Sequence, residues 1–178
     1  MNSKYLQVLG NQLGLVALTL LFIVGFYVQI VMHHLPCPLC LLQRVAFAGV
    51  GIAIIFNLTL GIRAKHYGLM LLSAIFGLGT SIRHILLHIL PNDPGFGFPI
   101  WGLHIYTWSA ILFSVILTLG SFALVLDDGF HQPKEQSKMT KVIIWAFFMM
   151  IAANAISSLL ECGLGECPAD PEQYLLLS

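Results

Sequence analysis

The chain has 178 residues, of which 58% are hydrophobic and 9% charged, with a formal net charge of zero and a mean hydropathy of +0.88. A soluble globular domain carries about 25% charged residues, so this surface cannot be kept in water, and the neutral balance excludes a broad attraction to nucleic acid. The four cysteines form two close pairs, Cys37/Cys40 and Cys162/Cys167; they are too few to staple a small secreted domain and suit two redox-active dithiols.

Met1 to Leu9 carry a single charge, Lys4. Leu13 to Met32 then run without a charged residue, about the 20 residues needed to cross a bilayer. This run ends in Gln29-Ile30-Val31-Met32-His33-His34, without the small-residue cleavage site of a secretory signal, which predicts a retained first transmembrane helix. Next comes Leu35-Pro36-Cys37-Pro38-Leu39-Cys40-Leu41-Leu42-Gln43-Arg44. Pro36 and Pro38 suit a helix start and would disrupt its interior. Arg44, four positions past Cys40, projects from the same helix face. Cys40 falls in the first turn, where the partial positive charge of a helix N-terminus favours a thiolate.

Leu41 to Ile62 form the second span, with Arg44 its only charge, and Arg63-Ala64-Lys65-His66 make a short basic connection. Tyr67 to Leu90 form a third span bearing Arg83, His84 and His88 in its last two turns. Pro91 to Pro99 are too broken by proline and glycine to be helical. Trp101 to Leu126 give a fourth span that opens with the interface anchors Trp101, Tyr106 and Trp108. Asp127 to Lys141 form an aqueous loop, Val142 to Leu160 a fifth span, and Glu161 to Ser178 a tail that holds Cys162 and Cys167. The expected fold is an all-α integral membrane protein of one domain, a four-helix transmembrane bundle plus a fifth C-terminal helix, without repeats.

Lysine and arginine set the expected orientation. With the N-terminus cytoplasmic, Lys4, Arg63, Lys65, Lys134, Lys138 and Lys141 all lie on the cytoplasmic side, and the external loops and tail hold neither residue. Five spans then run N-in to C-out. His33, His34, Cys37, Cys40, Arg44, Arg83, His84, His88, His104, Cys162 and Cys167 all fall at or near the outer face, and the four thiols share the oxidising compartment of a bacterium.

Several chemistries compete for these residues. A disulfide across Cys37 and Cys40 closes a very short loop and removes little chain entropy, so a purely stabilising role is weak. A four-cysteine zinc site would place one pair at a helix start within the headgroup region. Snorkelling alone accounts for an arginine near a helix end; the nearby Cys40 turns Arg44 towards function, whereas Arg83 stays open. His84 and His88, one turn apart, suggest either a proton donor or a haem-binding membrane electron carrier using outer histidines. The haem alternative leaves both cysteine pairs unused.

Cys37-x-x-Cys40-x-x-x-Arg44 after a first span resembles the disulfide-bond formation protein B (DsbB) family of bacterial inner-membrane quinone reductases. The resemblance continues through Arg83 to Pro91 and Trp101 to Trp108, and covers roughly residues 10 to 126. It implies a helical bundle that reoxidises a periplasmic thioredoxin-fold dithiol oxidase (DsbA-like) and passes two electrons to a membrane quinone, ubiquinone or menaquinone. Carried over by position, Cys40 is the thiolate facing the quinone, Cys37 its partner, Arg44 the charge beside the quinone and His84 the histidine at that site. One departure stands out: the family's second cysteine pair lies between the third and fourth spans, but the loop Pro91 to Ile100 has no cysteine here. The pair Cys162/Cys167 follows a fifth span instead. The expected relay takes electrons from the soluble partner at Cys162–Cys167, through Cys37–Cys40, to quinone.

Overall fold

The computed structural model describes residues 3–125, 136–171 and 173–177. Five helices, α1 (Ser3–Ile30), α2 (Pro38–Leu60), α3 (Ala64–Leu87), α4 (Ile105–Val125) and α5 (Lys138–Cys162), are each long and apolar enough to cross a membrane. Between α3 and α4, β1 (Pro99–Ile100) and β2 (Leu103–His104) pair as a small antiparallel hairpin. This is the all-α membrane architecture expected from the hydropathy pattern.

Local chemistry sets the helix ends. Pro38 opens α2, where its missing N–H costs nothing, and α2 stops at Gly61, whose φ of 92° suits a residue without a Cβ. Ser137 caps α5 by accepting a hydrogen bond from the Thr140 amide at 3.2 Å. Gly163 ends α5 at φ 63°, with its own N–H donating to Leu159 O.

The spans differ from those expected mainly at their ends. The first helix begins at Ser3 instead of Leu13 because its early polar residues have partners. The Asn11 amide donates to the Tyr67 hydroxyl and accepts from Asn57, and Gln12 donates to Thr140 Oγ1. The fourth begins at Ile105 instead of Trp101, since Trp101 and Gly102 turn the hairpin with φ of 51° and 81°. Lys138 and Lys141 belong to α5 rather than to the loop before it. Lys134, most of the Asp127–Lys141 loop, Leu126 and Ser178 lie outside the described residues.

Helices α1 to α4 follow one another around the bundle, and α5 packs chiefly against α1. Gln12 near the start of α1 meets Thr140 near the start of α5, and Gln29 near its end meets Ser157 near the end of α5. The two helices therefore run parallel. This requires an odd number of intervening spans, here α2, α3 and α4, and puts both cysteine pairs at one end of the bundle. The core is apolar and closely fitted: Phe47 stacks on Phe113 with ring centroids 4.0 Å apart, and Phe22 meets Phe147 edge-on at 5.9 Å. Phe147 seats against Gly51 and Phe113 against Gly77, where a Cβ would collide with the ring. At the end away from the cysteines, Asn11, Asn57, His66 and Tyr67 form a buried hydrogen-bonded set.

Candidate functional site

Cys37 is the N-cap of α2, and its Sγ accepts a hydrogen bond from the Cys40 amide at 3.3 Å. The donor at the helix start therefore points at Cys37, not at Cys40 as the spacing suggested. Both cysteines are free, and their Sγ atoms stand 2.9 Å apart. The hydrogen bond from Cys40 holds the Cys37 thiol well below its usual value, at about 5; burial opposes this, and contact with His84 adds to it. His84 Nε2 and Nδ1 lie 3.8 and 4.0 Å from Cys37 Sγ. Among the described residues, Cys37, Cys40 and His84 bring their ligand atoms within 4.8 Å of one another. That grouping serves a redox pair beside an imidazole as readily as it would serve a thiophilic ion.

Arg44 lies on the same face of α2, one turn beyond Cys40. Its guanidinium donates to Gln29 Oε1 at 2.8 Å, Asn154 Oδ1 at 3.0 Å and Gly25 O at 3.4 Å. All three hydrogen-bond acceptors are neutral, so none of them cancels the positive charge they orient. Gln29, 2% exposed, in turn donates to Ser157 Oγ at 2.7 Å and to the Tyr174 hydroxyl at 3.0 Å. Arg44 thus joins α1, α2, α5 and, through Gln29, the tail. This anchored position replaces simple snorkelling, whereas Arg83 is exposed on the outer side of α3.

An apolar groove of about 1000 Å³ runs the length of the bundle between α1 and α4, with α2 as its floor. Near the cysteines its lining includes His34, Cys40, Gln43, Arg44, Tyr106 and Trp108. Cys37 stands behind Cys40, against His84. Gln43 is 4% exposed, and its Nε2 has no hydrogen-bond partner among the described residues. A donor of that kind in an apolar wall can hold a carbonyl oxygen. The sequence reasoning passed over Gln43, although its position three residues after Cys40 on the same helix face was the available signal.

His84, 2% exposed, stacks on Tyr106 with centroids 4.3 Å apart, and Tyr106 also stacks on His104 at 5.2 Å. His84 therefore reaches the groove through Tyr106 and touches Cys37 directly. His88 Nδ1 pairs with Asp93 Oδ1 at 2.9 Å, and the Gly95 amide donates to the same oxygen. The hydrogen bond from Gly95, followed by that from His88, holds the Asp93 carboxyl below its ordinary value. His84 and His88 are successive turns of one helix with ring centroids 5.5 Å apart, so they cannot flank the two faces of one porphyrin.

Cys162 and Cys167 are joined by a disulfide. Cys162 is buried and Cys167 partly exposed, so the pair presents one sulfur inward and one outward. The tail folds back over the end of α5: the Leu175 amide donates to Glu161 O at 3.3 Å and the Leu176 amide to Leu160 O at 3.0 Å. Gln29, Asn154, Tyr174 and Glu161 were not singled out from the sequence. The first two were visible only as isolated amides in apolar helices.

The family model described as "Disulfide bond formation protein DsbB" matches residues 9–97. These include Cys37, Cys40, Arg44 and His84, and exclude the second pair. Proteins named "Disulfide bond formation protein B" are similar to the chain. The one from Xanthomonas axonopodis pv. citri is 36% identical over 86 residues, covering 46% of this chain and 50% of the relative. The one from Saccharophagus degradans is 42% identical over 78 residues, covering 41% and 46%. The one from Marinobacter nauticus is 33% identical over 141 residues, covering 59% and 84%. The chain thus spans about half the length of the Xanthomonas and Saccharophagus relatives it matches. No solved structure matches.

Proposed function

The chain belongs to the disulfide bond formation protein DsbB family, and on that premise we propose that it is a membrane thiol:quinone oxidoreductase. In this reading it reoxidises a periplasmic thioredoxin-fold dithiol oxidase and passes two electrons to ubiquinone or menaquinone in a bacterial inner membrane. The orientation is N-in and C-out, with both cysteine pairs periplasmic, as the lysine and arginine bias supports. One observation carries the proposal: Cys40 and Arg44, one helical turn apart, both line a long apolar groove.

The residues fit a quinone. The groove's apolar walls match an isoprenoid chain. At its cysteine end, the unpartnered Gln43 Nε2 and the Arg44 guanidinium supply donors for ring oxygens. When bound, the quinone accepts two electrons and two protons. The chain's own residues do the rest. Cys162–Cys167 accepts the partner's thiolate in a mixed disulfide and is left as a dithiol when the partner departs oxidised. Exchange with the Cys37–Cys40 disulfide returns the tail to its oxidised form and reduces the inner pair. Cys40 then faces the groove, Arg44 lowers the energy of negative charge there, and His84 holds Cys37 from behind.

The test is quinone reduction driven by a reduced thioredoxin-like oxidase. In the Cys162→Ser/Cys167→Ser double variant, oxidation of that protein should stop. Quinone reduction by a small dithiol acting directly on Cys37–Cys40 should survive. Undiminished partner oxidation in the double variant would remove the tail from the relay.

A further inference from the structure

Glu161 is a carboxylic acid in the last turn of α5, 1% exposed, and its Oε2 has no hydrogen-bond partner among the described residues. A buried carboxylate with an unused oxygen is costly unless it has work to do. Its surroundings are specific. Arg44 on α2 and Cys37 at the head of α2 both interact with it electrostatically, and Arg44 also interacts with Tyr174 of the tail and with Cys40. The next residue is Cys162, the inward sulfur of the tail disulfide. The returning tail closes over this end of α5 through the amides of Leu175 and Leu176. Glu161 therefore stands in a sealed position beside one redox pair and within electrostatic range of the other.

We infer that Glu161 is the proton acceptor for exchange between the two cysteine pairs, and that Cys162 is the tail sulfur that attacks. The inference rests on the relay reading given above. The reduced tail holds two thiols, and a thiol must lose its proton to attack a disulfide. The Cys162 proton passes to the Glu161 carboxylate as the Cys162 sulfur bonds to Cys37 Sγ. The Cys37–Cys40 bond breaks, and its electron pair stays on Cys40 as a thiolate that faces the groove beside Arg44. Cys167 then attacks the Cys162 sulfur and re-forms the tail disulfide. Cys37 leaves with the electron pair as the thiolate that the Cys40 amide holds, and the Cys167 proton passes to Cys40. Two thiol protons and two electrons have left the tail, and one negative charge has moved from Glu161 to the Cys37–Cys40 pair. That move keeps the charge next to the same guanidinium, so no uncompensated charge appears in the apolar interior.

The experiment uses the full-length protein, oxidised, in detergent and without quinone. It is mixed with a reduced thioredoxin-like oxidase, quenched in acid and tagged with a maleimide reagent, so that reduction of each pair is read over time. Wild-type exchange should slow at acidic pH, as the Glu161 carboxylate is protonated, and level off once it is fully ionised. Glu161→Gln should leave reduction of the tail by the oxidase unchanged and slow reduction of Cys37–Cys40 by about 100-fold at neutral pH. The residual rate should rise about tenfold per pH unit, as expected when hydroxide must replace the missing base. Glu161→Asp should recover most of the rate. A Glu161→Gln protein with the wild-type exchange rate and pH profile overturns the inference and leaves the relay standing. Absence of exchange between the pairs in the wild type overturns both. If Glu161→Gln fails to form its tail disulfide, Glu161→Ala decides: a wild-type rate and pH profile count against the role, and a slowed exchange whose rate keeps rising with pH supports it.

Discussion

Replacing Arg44 by methionine removes a charge and three hydrogen bonds at once, and the structure allows the two losses to be weighed separately. Gln29 Oε1 and Asn154 Oδ1 would each lose a donor now at 2.8 and 3.0 Å. A buried acceptor left without a partner costs about 1–3 kcal/mol, so the variant should be less stable by a few kcal/mol at most. In the proposed reaction the electrostatic loss falls on the quinone step. A unit charge about 5 Å from an anion contributes about 3 kcal/mol at an effective dielectric of about 20, which corresponds to about 100-fold in a rate or binding constant. Arg44→Lys retains the charge without the planar fork and should fall between the two. Asn154→Leu deletes one of the hydrogen bonds and leaves the charge; it should lose stability while keeping wild-type quinone kinetics. The assay follows quinone absorbance against quinone concentration with a small dithiol as reductant, beside a thermal melt of each protein. A folded Arg44→Met protein with unchanged kinetic constants would refute the electrostatic role and leave Arg44 as a structural tie.

The Cys37 thiol, held at about 5, should give the reduced protein one thiolate absorbance near 240 nm that persists to mildly acidic pH, and Cys40→Ser or His84→Ala should move its titration upward. Because the folded value lies below the ordinary one near 9, the thiolate's contribution to stability of the reduced form is complete above about pH 9. It is lost as the pH falls towards 5, so a reduced protein that melts at the same temperature throughout that window would contradict the assignment. Gly51→Ala places a Cβ against the Phe147 ring and should loosen α5 from α2. The expected result is partial proteolysis or increased thiol labelling at Cys162 and Cys167 after reduction, with spans α2 to α4 intact and a loss of about 1–3 kcal/mol.

The spans were legible because length and hydropathy are local properties: nothing outside Leu41 to Ile62 is needed to see that it can cross a membrane. The pairing of Cys40 with Arg44 was legible for the same reason, since one helical turn fixes it. The acceptors of Arg44 were not, because Gln29 and Asn154 come from helices whose mutual placement depends on the whole bundle. The hairpin at Trp101 was hidden by its own apolar composition. Trp101 to Leu103 read as the start of a span, yet a β-turn needs only two residues in the left-handed region, and tryptophan is not among those that advertise it. Cys37 illustrates a finer limit. Spacing put Cys40 in the first helical turn correctly, but which sulfur receives the amide at the helix start depends on the cap conformation, and the cap is Cys37.

The groove between α1 and α4 is rimmed by exposed apolar side chains, among them Leu20, Val24, Val115, Leu119 and Phe122. In a bilayer those residues face acyl chains, so a lipophilic substrate reaches the cysteine end sideways, by two-dimensional diffusion within the membrane, without crossing water. Its relevant concentration is then a mole fraction in lipid. Diluting the protein into more lipid or detergent at fixed total quinone lowers occupancy, whereas diluting both with buffer does not. Under the proposed relay, a soluble partner arriving from the aqueous phase at Cys167 obeys ordinary bulk concentration. The proposed activity would thus join two reactants that are counted in different volumes, and its turnover would report on how crowded the membrane is with quinone as well as how much reduced partner the compartment holds.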